Sequence, residues 1–402
     1  MQRHGTGNAG AMPERISDGA RSALRALLRS RAGARRLRFI MLAASLAFAG
    51  CQSSTVDDAL DVEGGRESSV AAGIETVGSG PVVIGMLAAL GSAGERDRRD
   101  GAKLAAMQLG GDQVTLAVYN ARPGAAGAGI EALIGRGAKI LIGPSRTDQL
   151  GAFSAGAAEA RPPVVAFLPN GVARPPGIFA FLSDETDSAV EVASYAVQAG
   201  RKRIVLLHPP EMEQAGLARL RKGIEAKGGQ VSAALPFSAR ASDGVASQGA
   251  VLKAADAVLL GPGLESPAAA VAALRATGAL SSGALILGTS ELPAQRGLMG
   301  TLVCRVDQAA VADVTQRYRA EFGRAMTKDA AYGFDAAALA IGIIRSRGAD
   351  ALTAATLSAR GGFRGLLGAF RFTAPGDIER NCSIYRVEGD SYQMQDPAPN
   401  GF

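Results

Sequence analysis

Seven short apolar runs, separated by stretches with helical spacing, constrain the fold of this 402-residue chain more than any other feature. They lie at Val82–Leu87, Val114–Tyr119, Lys139–Ile142, Val164–Phe167, Ile204–Leu207, Ala257–Leu260 and Ala284–Leu287. Strands that alternate with helices of about 10 to 15 residues are typical of βαβ units and parallel sheets. The sequence therefore predicts an α/β fold from residue 80 onward, in a stretch long enough for two lobes.

The first fifty residues have the composition of an export signal. Nine arginines precede the ten-residue apolar segment 39–48, and Ala49-Gly50-Cys51 follows it. Such a segment is too short to cross a bilayer but suits the core of a secretory signal. Phe48-Ala-Gly-Cys51 resembles a bacterial lipobox, which implies cleavage before Cys51 and its lipidation; an ordinary signal peptide is the alternative. Residues 51–79 are predicted to be the lipidated cysteine and a flexible tether.

The basic character of the chain comes from this leader. The formal net charge is +6, and removing the nine arginines and two acids of residues 1–50 leaves 34 basic and 35 acidic residues, a net charge of −1. No basic stripe with interleaved aromatic residues remains, so we predict no nucleic-acid partner. The charge run Glu95–Asp100 is interpreted as a solvated helix face.

One polar turn stands out as a candidate binding element. An apolar strand through Ile142 ends at Gly143-Pro144. Ser145 and Thr147 are suitable N-caps for a helix that runs to about residue 160. The turn follows the carboxyl end of its strand, where open α/β sheets bind ligands, and a helix amino end suits a carboxylate. Helix capping alone is the alternative interpretation.

Five segments carry a resemblance to a known family. They are Val83–Gly91, Arg99–Ala105, Leu141–Pro144, Ala330–Ala336 (AAYGFDA) and Phe363–Phe372 (FRGLLGAFRF). In this order they resemble the first strand and turn, the first helix, the third strand, the "AYDA" helix and the closing segment of type I periplasmic binding proteins, the leucine-binding-protein family. The Ala-rich core and the ending Asp396–Phe402 are most similar to the lipoproteins called penicillin-binding protein activators.

The resemblance implies a fold and a domain layout. It implies two lobes of parallel sheets flanked by helices and joined by a multi-strand hinge. The first lobe is expected at about 80–185 and 308–362, and the second at about 186–307 and 363–402. The segment 173–182 is interpreted as a crossing between the two sheets.

The resemblance also implies a ligand site on the turns between the lobes. The turn after the third strand would hold a carboxylate, and Glu291 of the second lobe would hold an ammonium. The candidate ligand-binding residues are Ser92, Gly143, Ser145, Arg146, Thr147, Leu168, Asn170, Glu211, Gly263, Ser290 and Glu291.

Enzyme chemistry has little support in the sequence. After the leader there is a single histidine, His208, and there is no cysteine cluster, nucleophile elbow or phosphate-binding loop. We therefore predict no catalytic residue, metal or cofactor. Cys304 and Cys382 lie in apolar runs, and a disulfide and two buried free thiols both remain open.

These observations lead to one main hypothesis and two alternatives. The main hypothesis is a non-enzymatic lipoprotein of the periplasm, anchored to the outer rather than the inner membrane. Its domain would bind a small polar, amino-acid-like ligand or act, by the resemblance, as a penicillin-binding protein activator. The first alternative is a pure protein–protein regulator of peptidoglycan synthesis, with a vestigial cleft and a peptidoglycan synthase as partner. The second is an ABC-transporter receptor for branched-chain amino acids.

Overall fold

The computed structural model describes residues 73–154, 161–240 and 243–402. The predicted signal peptide, the lipobox with Cys51 and the predicted tether up to residue 72 lie outside the described residues. All described residues belong to one compact unit.

The described residues contain sixteen strands in three sheets. The strands are β1 (Ile74–Val77), β2 (Val82–Ala88), β3 (Val114–Asn120), β4 (Ala138–Ile142), β5 (Val164–Pro169), β6 (Ile178–Leu182), β7 (Arg203–His208), β8 (Gln230–Pro236), β9 (Ala257–Leu260), β10 (Leu285–Gly288), β11 (Leu302–Arg305), β12 (Phe363–Gly365), β13 (Gly368–Phe372), β14 (Ile378–Arg380), β15 (Ser383–Glu388) and β16 (Ser391–Asp396).

The first sheet has the strand order β1-β3-β2-β4-β5-β6, and all neighbours pair in parallel except β1 with β3. The second sheet has the order β16-β15-β11-β10-β9-β7-β8, with an antiparallel edge at β15 and β16. Parallel strands covered on both faces are continuous apolar runs. This explains why all seven runs predicted from the sequence are strands of these two sheets.

The described residues also contain ten α-helices. They are α1 (Ala93–Leu109), α2 (Ala126–Gly135), α3 (Glu185–Gln198), α4 (Gln214–Ala226), α5 (Asp243–Ala246), α6 (Gly249–Ala254), α7 (Pro267–Ala276), α8 (Gln308–Phe322), α9 (Lys328–Arg347) and α10 (Ala354–Leu357). Two glycines let α1 and α9 approach closely. A Cβ at Gly101 would lie 1.8 Å from the Ala330 carbonyl oxygen, and one at Gly333 would lie 1.9 Å from that of Arg98. A larger residue at either position would push the helices apart.

The third sheet, β12-β13-β14, packs with the first lobe. The Phe370 ring on β13 lies 5.2 Å from the Phe181 ring on β6, and Phe372 joins the same buried cluster. Residues 363–402, expected together in the second lobe, are divided between the two lobes. The aromatic side chains of β13 instead fill the first-lobe core, while β15 and β16 extend the second sheet.

Three short segments connect the lobes, at residues 183–184, 306–307 and 381–382. Cys304 and Cys382 form a disulfide with a Cα–Cα distance of 5.5 Å, which resolves the alternatives left open by the sequence. We call these three segments the crossings. The disulfide joins β11, which leads into the second crossing, to residue 382 of the third crossing. The predicted crossing at 173–182 is wrong in part, because Ile178–Leu182 is β6, an edge strand of the first sheet.

Two further sequence interpretations differ from the structure. Ile74–Val77, assigned to the tether, forms strand β1, and Glu75 on it meets Lys103 of α1 at 2.6 Å. The charge run Glu95–Asp100 is not a solvated face, since Glu95 and Asp100 are only 4% and 5% exposed. Arg98 pairs with Asp329 of α9, and Asp97 and Asp100 pair with Arg324 in the loop before α9.

Candidate functional site

A glycine, Gly143, sets the shape of the turn after β4. Gly143 has φ +91°, and a Cβ there would lie 2.3 Å from the Leu87 carbonyl oxygen, so no other residue fits without a backbone shift. The Gly143 N–H donates to the Val165 carbonyl at 2.8 Å, and the Gly143-Pro144 bond is cis. The turn therefore lies close against both β5, through Val165, and β2, through Leu87.

The helix that follows this turn is not the predicted α-helix. Thr147–Phe153 is a 3₁₀ helix, Arg146 occupies the N-cap position, and no side chain caps the helix. The prediction that Ser145 or Thr147 caps an α-helix is therefore wrong, and the rest of that predicted helix, 155–160, lies outside the described residues. This short helix does not provide the α-helical amino end that we expected to bind a carboxylate.

A cavity of about 610 Å³ opens at the carboxyl ends of β2, β3 and β4. Its polar lining comes from three turns and the first helix: Ser92, Glu95, Arg98, Asn120, Arg122, Ser145 and Arg146. Three of the predicted site residues, Ser92, Ser145 and Arg146, therefore share this cavity. The Ser92 hydroxyl oxygen also caps α1, because it accepts from the Glu95 N–H at 3.3 Å. We call this cavity the first-lobe cavity.

The cations of the first-lobe cavity differ in their partners. Arg98 pairs with Glu95 and with Asp329 of α9. Arg146 pairs with Asp148 at 2.7 Å, which lowers the pKa of that carboxyl. Arg122 is exposed and its guanidinium has no ion pair or hydrogen bond among the described residues. Arg122 is therefore the lining cation that is open to an external anion.

The turns of the second lobe are bound to the protein itself. The Glu185 carboxylate, at the start of α3, accepts from the Gly263 N–H at 2.9 Å and from the Thr289 hydroxyl at 3.4 Å. The Ser290 N–H donates to the Ser188 hydroxyl oxygen at 3.0 Å. Gly263 and Ser290 were predicted ligand residues, and the structure bonds both of their N–H groups to α3.

Leu168, within β5, and Asn170, in the turn after β5, were predicted site residues but do not face an open site. Leu168 is 3% exposed and packs in a first-lobe core cluster. The Asn170 amide donates to the Asp187 carboxylate at 3.1 Å and to the Ile378 carbonyl at 2.7 Å, and its oxygen accepts from the Ile378 N–H at 2.8 Å. Asn170 thus joins the first lobe to α3 rather than meeting a ligand.

The acid expected to bind a ligand ammonium already has a cationic partner. Glu291 meets Lys328, at the start of α9 in the first lobe, at 3.3 Å. Glu211, the remaining candidate, is exposed at the turn after β7. His208 is buried at the end of that strand, and its Nδ1 lies 2.8 Å from the Pro209 carbonyl oxygen.

A smaller cavity of about 70 Å³ lies where the three crossings meet. Its wall includes the disulfide and Tyr332, whose hydroxyl bonds to the backbone of Ser183 at 3.0 Å. Asp184 and Asp187 form a capping box at the start of α3. Burial and the nearby Asp184 charge raise the pKa of Asp187.

Four polar residues of the first-lobe cavity were not among the predicted site residues: Glu95, which belongs to the charge run, Arg98, Asn120 and Arg122. Asn120 directly follows the predicted strand Val114–Tyr119, and its position at the carboxyl end of that run was a usable signal. Arg98 was included in the charge run, and Arg122 lies in a connection that showed no motif. No group of three or more His, Cys, Asp or Glu side chains in the described ranges is arranged to hold a metal ion.

Two α/β lobes, three crossings and a cleft bounded by strand-end turns define a two-lobed binding protein. The model for the family described as "Periplasmic binding protein" matches residues 81–392. The chain therefore belongs to this family, in its type I, leucine-binding-like form. None of the helices in the described part of the chain is long and apolar enough to cross a membrane.

Solved structures of two functional kinds share this fold. A structure assigned to a branched-chain amino acid ABC transporter from Rhodospirillum rubrum is 20% identical, with a TM-score of 0.60, 78% of this chain and 99% of that chain covered. The C-domain of LpoA from Haemophilus influenzae, a regulator of PBP1A, is 16% identical, with a TM-score of 0.61 and the same coverage, 78% and 99%. A periplasmic ligand-binding protein of a branched-chain amino acid ABC transporter from Burkholderia xenovorans is 17% identical, with a TM-score of 0.53 and coverage of 79% and 96%. No curated protein matches the chain significantly.

Proposed function

We propose that this chain is a non-enzymatic, lipid-anchored binding protein of the cell envelope whose first-lobe cavity holds the carboxylate of a small polar ligand. The observation that carries this proposal is the cavity of about 610 Å³, with the open Arg122 guanidinium at its edge. Small-molecule sites have volumes of roughly 300–1,000 Å³. A guanidinium beside hydroxyl groups is suited to a carboxylate. The anchor at Cys51 rests on the sequence of the leader.

The ligand does not need an ammonium group. Glu291, the acid that the family resemblance assigns to an ammonium, already meets Lys328. Glu185, a second acid of this lobe, is bonded to Gly263 and Thr289, and Glu211 is exposed to solvent at the turn after β7. Because Glu291 and Glu185 already have partners, and an ion pair to an exposed carboxylate such as Glu211 contributes little, an amine on the ligand would gain little. We therefore expect carboxylic acids in general, rather than amino acids specifically.

Ligand screening with one variant tests this proposal. A ligand at a hundredfold its Kd should raise the free energy of unfolding by about 2.7 kcal/mol, a rise in Tm of about 5 °C. Arg122→Ala should weaken binding about tenfold, because a hydrogen bond to a charged group is lost. Arg136→Ala, an exposed arginine at the end of α2, is the matched control and should bind like the wild type. If Arg122→Ala and Arg136→Ala bind the ligand equally well, the ligand carboxylate does not bind at Arg122.

A second candidate function is regulation of a peptidoglycan synthase through direct contact. It is favoured by the second-lobe turns, whose N–H groups at Gly263 and Ser290 are already bonded inside the lobe. The LpoA C-domain, a regulator of PBP1A, has the same fold. Co-purification of a synthase with the full chain, equally strong for wild type and Arg122→Ala, together with no response to any carboxylic acid, would select this function over ligand capture.

A further inference from the structure

Residues 397–402 leave the second lobe and return to the first. They follow β16, which pairs with β15 in the second sheet. The segment starts on that lobe, because the Ala398 N–H donates to the Ser383 hydroxyl oxygen of β15 at 3.0 Å. We call residues 397–402 the strap.

The far end of the strap lies on the first lobe. Arg364 of β12 donates to the Asn400 side-chain oxygen at 2.6 Å. The guanidinium carbon of Arg371, on β13, lies 4.6 Å from the centre of the Phe402 ring, a cation–π distance. Because β12 and β13 pack in the first-lobe core, these two contacts join the strap to the first lobe.

The middle of the strap touches the hinge itself. Asn381, in the third crossing and 9% exposed, donates from its side-chain amide to the Gly401 carbonyl at 2.9 Å. It also contacts the Pro399 carbonyl at 3.5 Å. The neighbouring residue, Cys382, forms the disulfide to the second crossing. The strap is therefore a fourth connection between the lobes, placed beside two crossings that are already covalently linked.

We propose that the strap is a lock on the hinge that holds the lobes at the angle described here. Two-lobed proteins change shape by rotation about a few residues of the connecting segments. A rotation about 381–382 would move the β15 end of the strap relative to its β12 and β13 end. The strap must therefore detach from Arg364 and Arg371 before the lobes can rotate far. Pro397 and Pro399 restrict the backbone of the strap, which limits its slack.

The test measures the distance between the lobes with and without the strap. Dyes are attached at Glu131→Cys on α2 and Lys253→Cys on α6, both exposed, in the full chain carrying Cys51→Ser and the intact Cys304–Cys382 disulfide. Single-molecule energy transfer then compares the unaltered strap with a chain that ends after Asp396. Phe402→Ala and Asn400→Ala provide milder versions that keep the strap backbone. Gln395→Ala is the control, because its side chain bonds to Arg386 within the second lobe.

We expect the truncated chain to show an interlobe distance distribution about twice as wide as that of the intact chain. The Phe402 and Asn400 variants should fall between them, and the Gln395 control should match the intact chain. An unchanged distribution in the truncated chain, with native circular dichroism, would overturn the proposal. If the truncated chain does not fold, unchanged distributions in both point variants would overturn it equally. The outcome does not depend on the ligand, so it is independent of the proposed function.

Discussion

The two halves of the cleft are built from equivalent strand-end turns but use their polar groups differently. In the first lobe the turns surround a cavity of about 610 Å³, and Arg122 is open to an external partner. In the second lobe Glu185 and Ser188 of α3 bind the N–H groups of Gly263 and Ser290. The same fold can therefore leave a strand-end turn open or close it with its own side chains. The proposed ligand site is therefore assigned to the first lobe.

Removing the Cys304–Cys382 disulfide should lower the free energy of unfolding most, because this bond links two of the crossings between the lobes. Its cysteines are 78 positions apart, and a bond closing a loop of that length stabilises by about 4 kcal/mol in the chain-entropy account. Cys304→Ser with Cys382→Ser should lower the free energy of unfolding in urea by about that amount. Wild type unfolded with reducing agent is the control and should match the double variant. A loss below about 1 kcal/mol would show that the bond is dispensable to the hinge.

Opening the second-lobe half should have a smaller effect. Glu185→Ala removes the acceptor of the Gly263 N–H and should lower the free energy of unfolding by about 1 kcal/mol. Glu213→Ala is the matched control, because Glu213 also stands at a helix start but makes no capping hydrogen bond. Equal stability of the two variants in urea unfolding would mean that the closed turns of the second lobe are not held by Glu185.

The pH dependence of stability gives a finer test of α3, the helix whose side chains bind the second-lobe turns. Burial, and then the Asp184 charge, raise the pKa of Asp187 above its ordinary value of 3.8, against the opposing effect of Arg219. The folded chain therefore binds this proton more tightly than the unfolded chain. Stability from this group falls as the pH rises from 3.8 through the raised value and is constant above it.

Asp187→Asn removes this titration while keeping one acceptor oxygen. Urea unfolding from pH 3.5 to 7, roughly the range over which such a group titrates, should show wild type losing stability relative to the variant as the pH rises. A wild type that gains relative stability over the same range would mean a lowered pKa. The Asp187 carboxylate would then be better solvated, or more tightly paired with Arg219, than its burial at the start of α3 implies.

Much of the fold could be predicted because its signals are local. Each buried parallel strand is a continuous apolar run, and the start of α3 shows its capping box at Asp184 and Asp187. Strand β1 was missed because Ile74–Val77 is four residues long and has no apolar run. The lobe boundary after residue 362 was misplaced because β13 is defined by its contact with Phe181, which is distant in sequence.

The site was less predictable because its partners are far apart along the chain. The Arg98–Asp329 pair spans 231 positions, so the sequence shows only a charge run on one side of it. The hydrogen bonds between Asn170 and Ile378 span 208 positions. They use the side chain of Asn170, which the sequence indicated as a ligand-binding turn residue. Residue type and strand-end position indicated where a ligand could bind. They did not indicate which of these groups the protein would bond to itself.

The most direct test of the account compares amino acids with the same acids lacking the amine. Isothermal titration of the full chain with leucine and with 4-methylpentanoate, and with further pairs of this kind, measures what the amine contributes. Because Glu291 already meets Lys328, the account predicts that at least one pair binds, with Kd values equal within about threefold. An amino acid that binds at least about tenfold tighter than its deaminated partner would contradict it, as would the absence of binding in every pair.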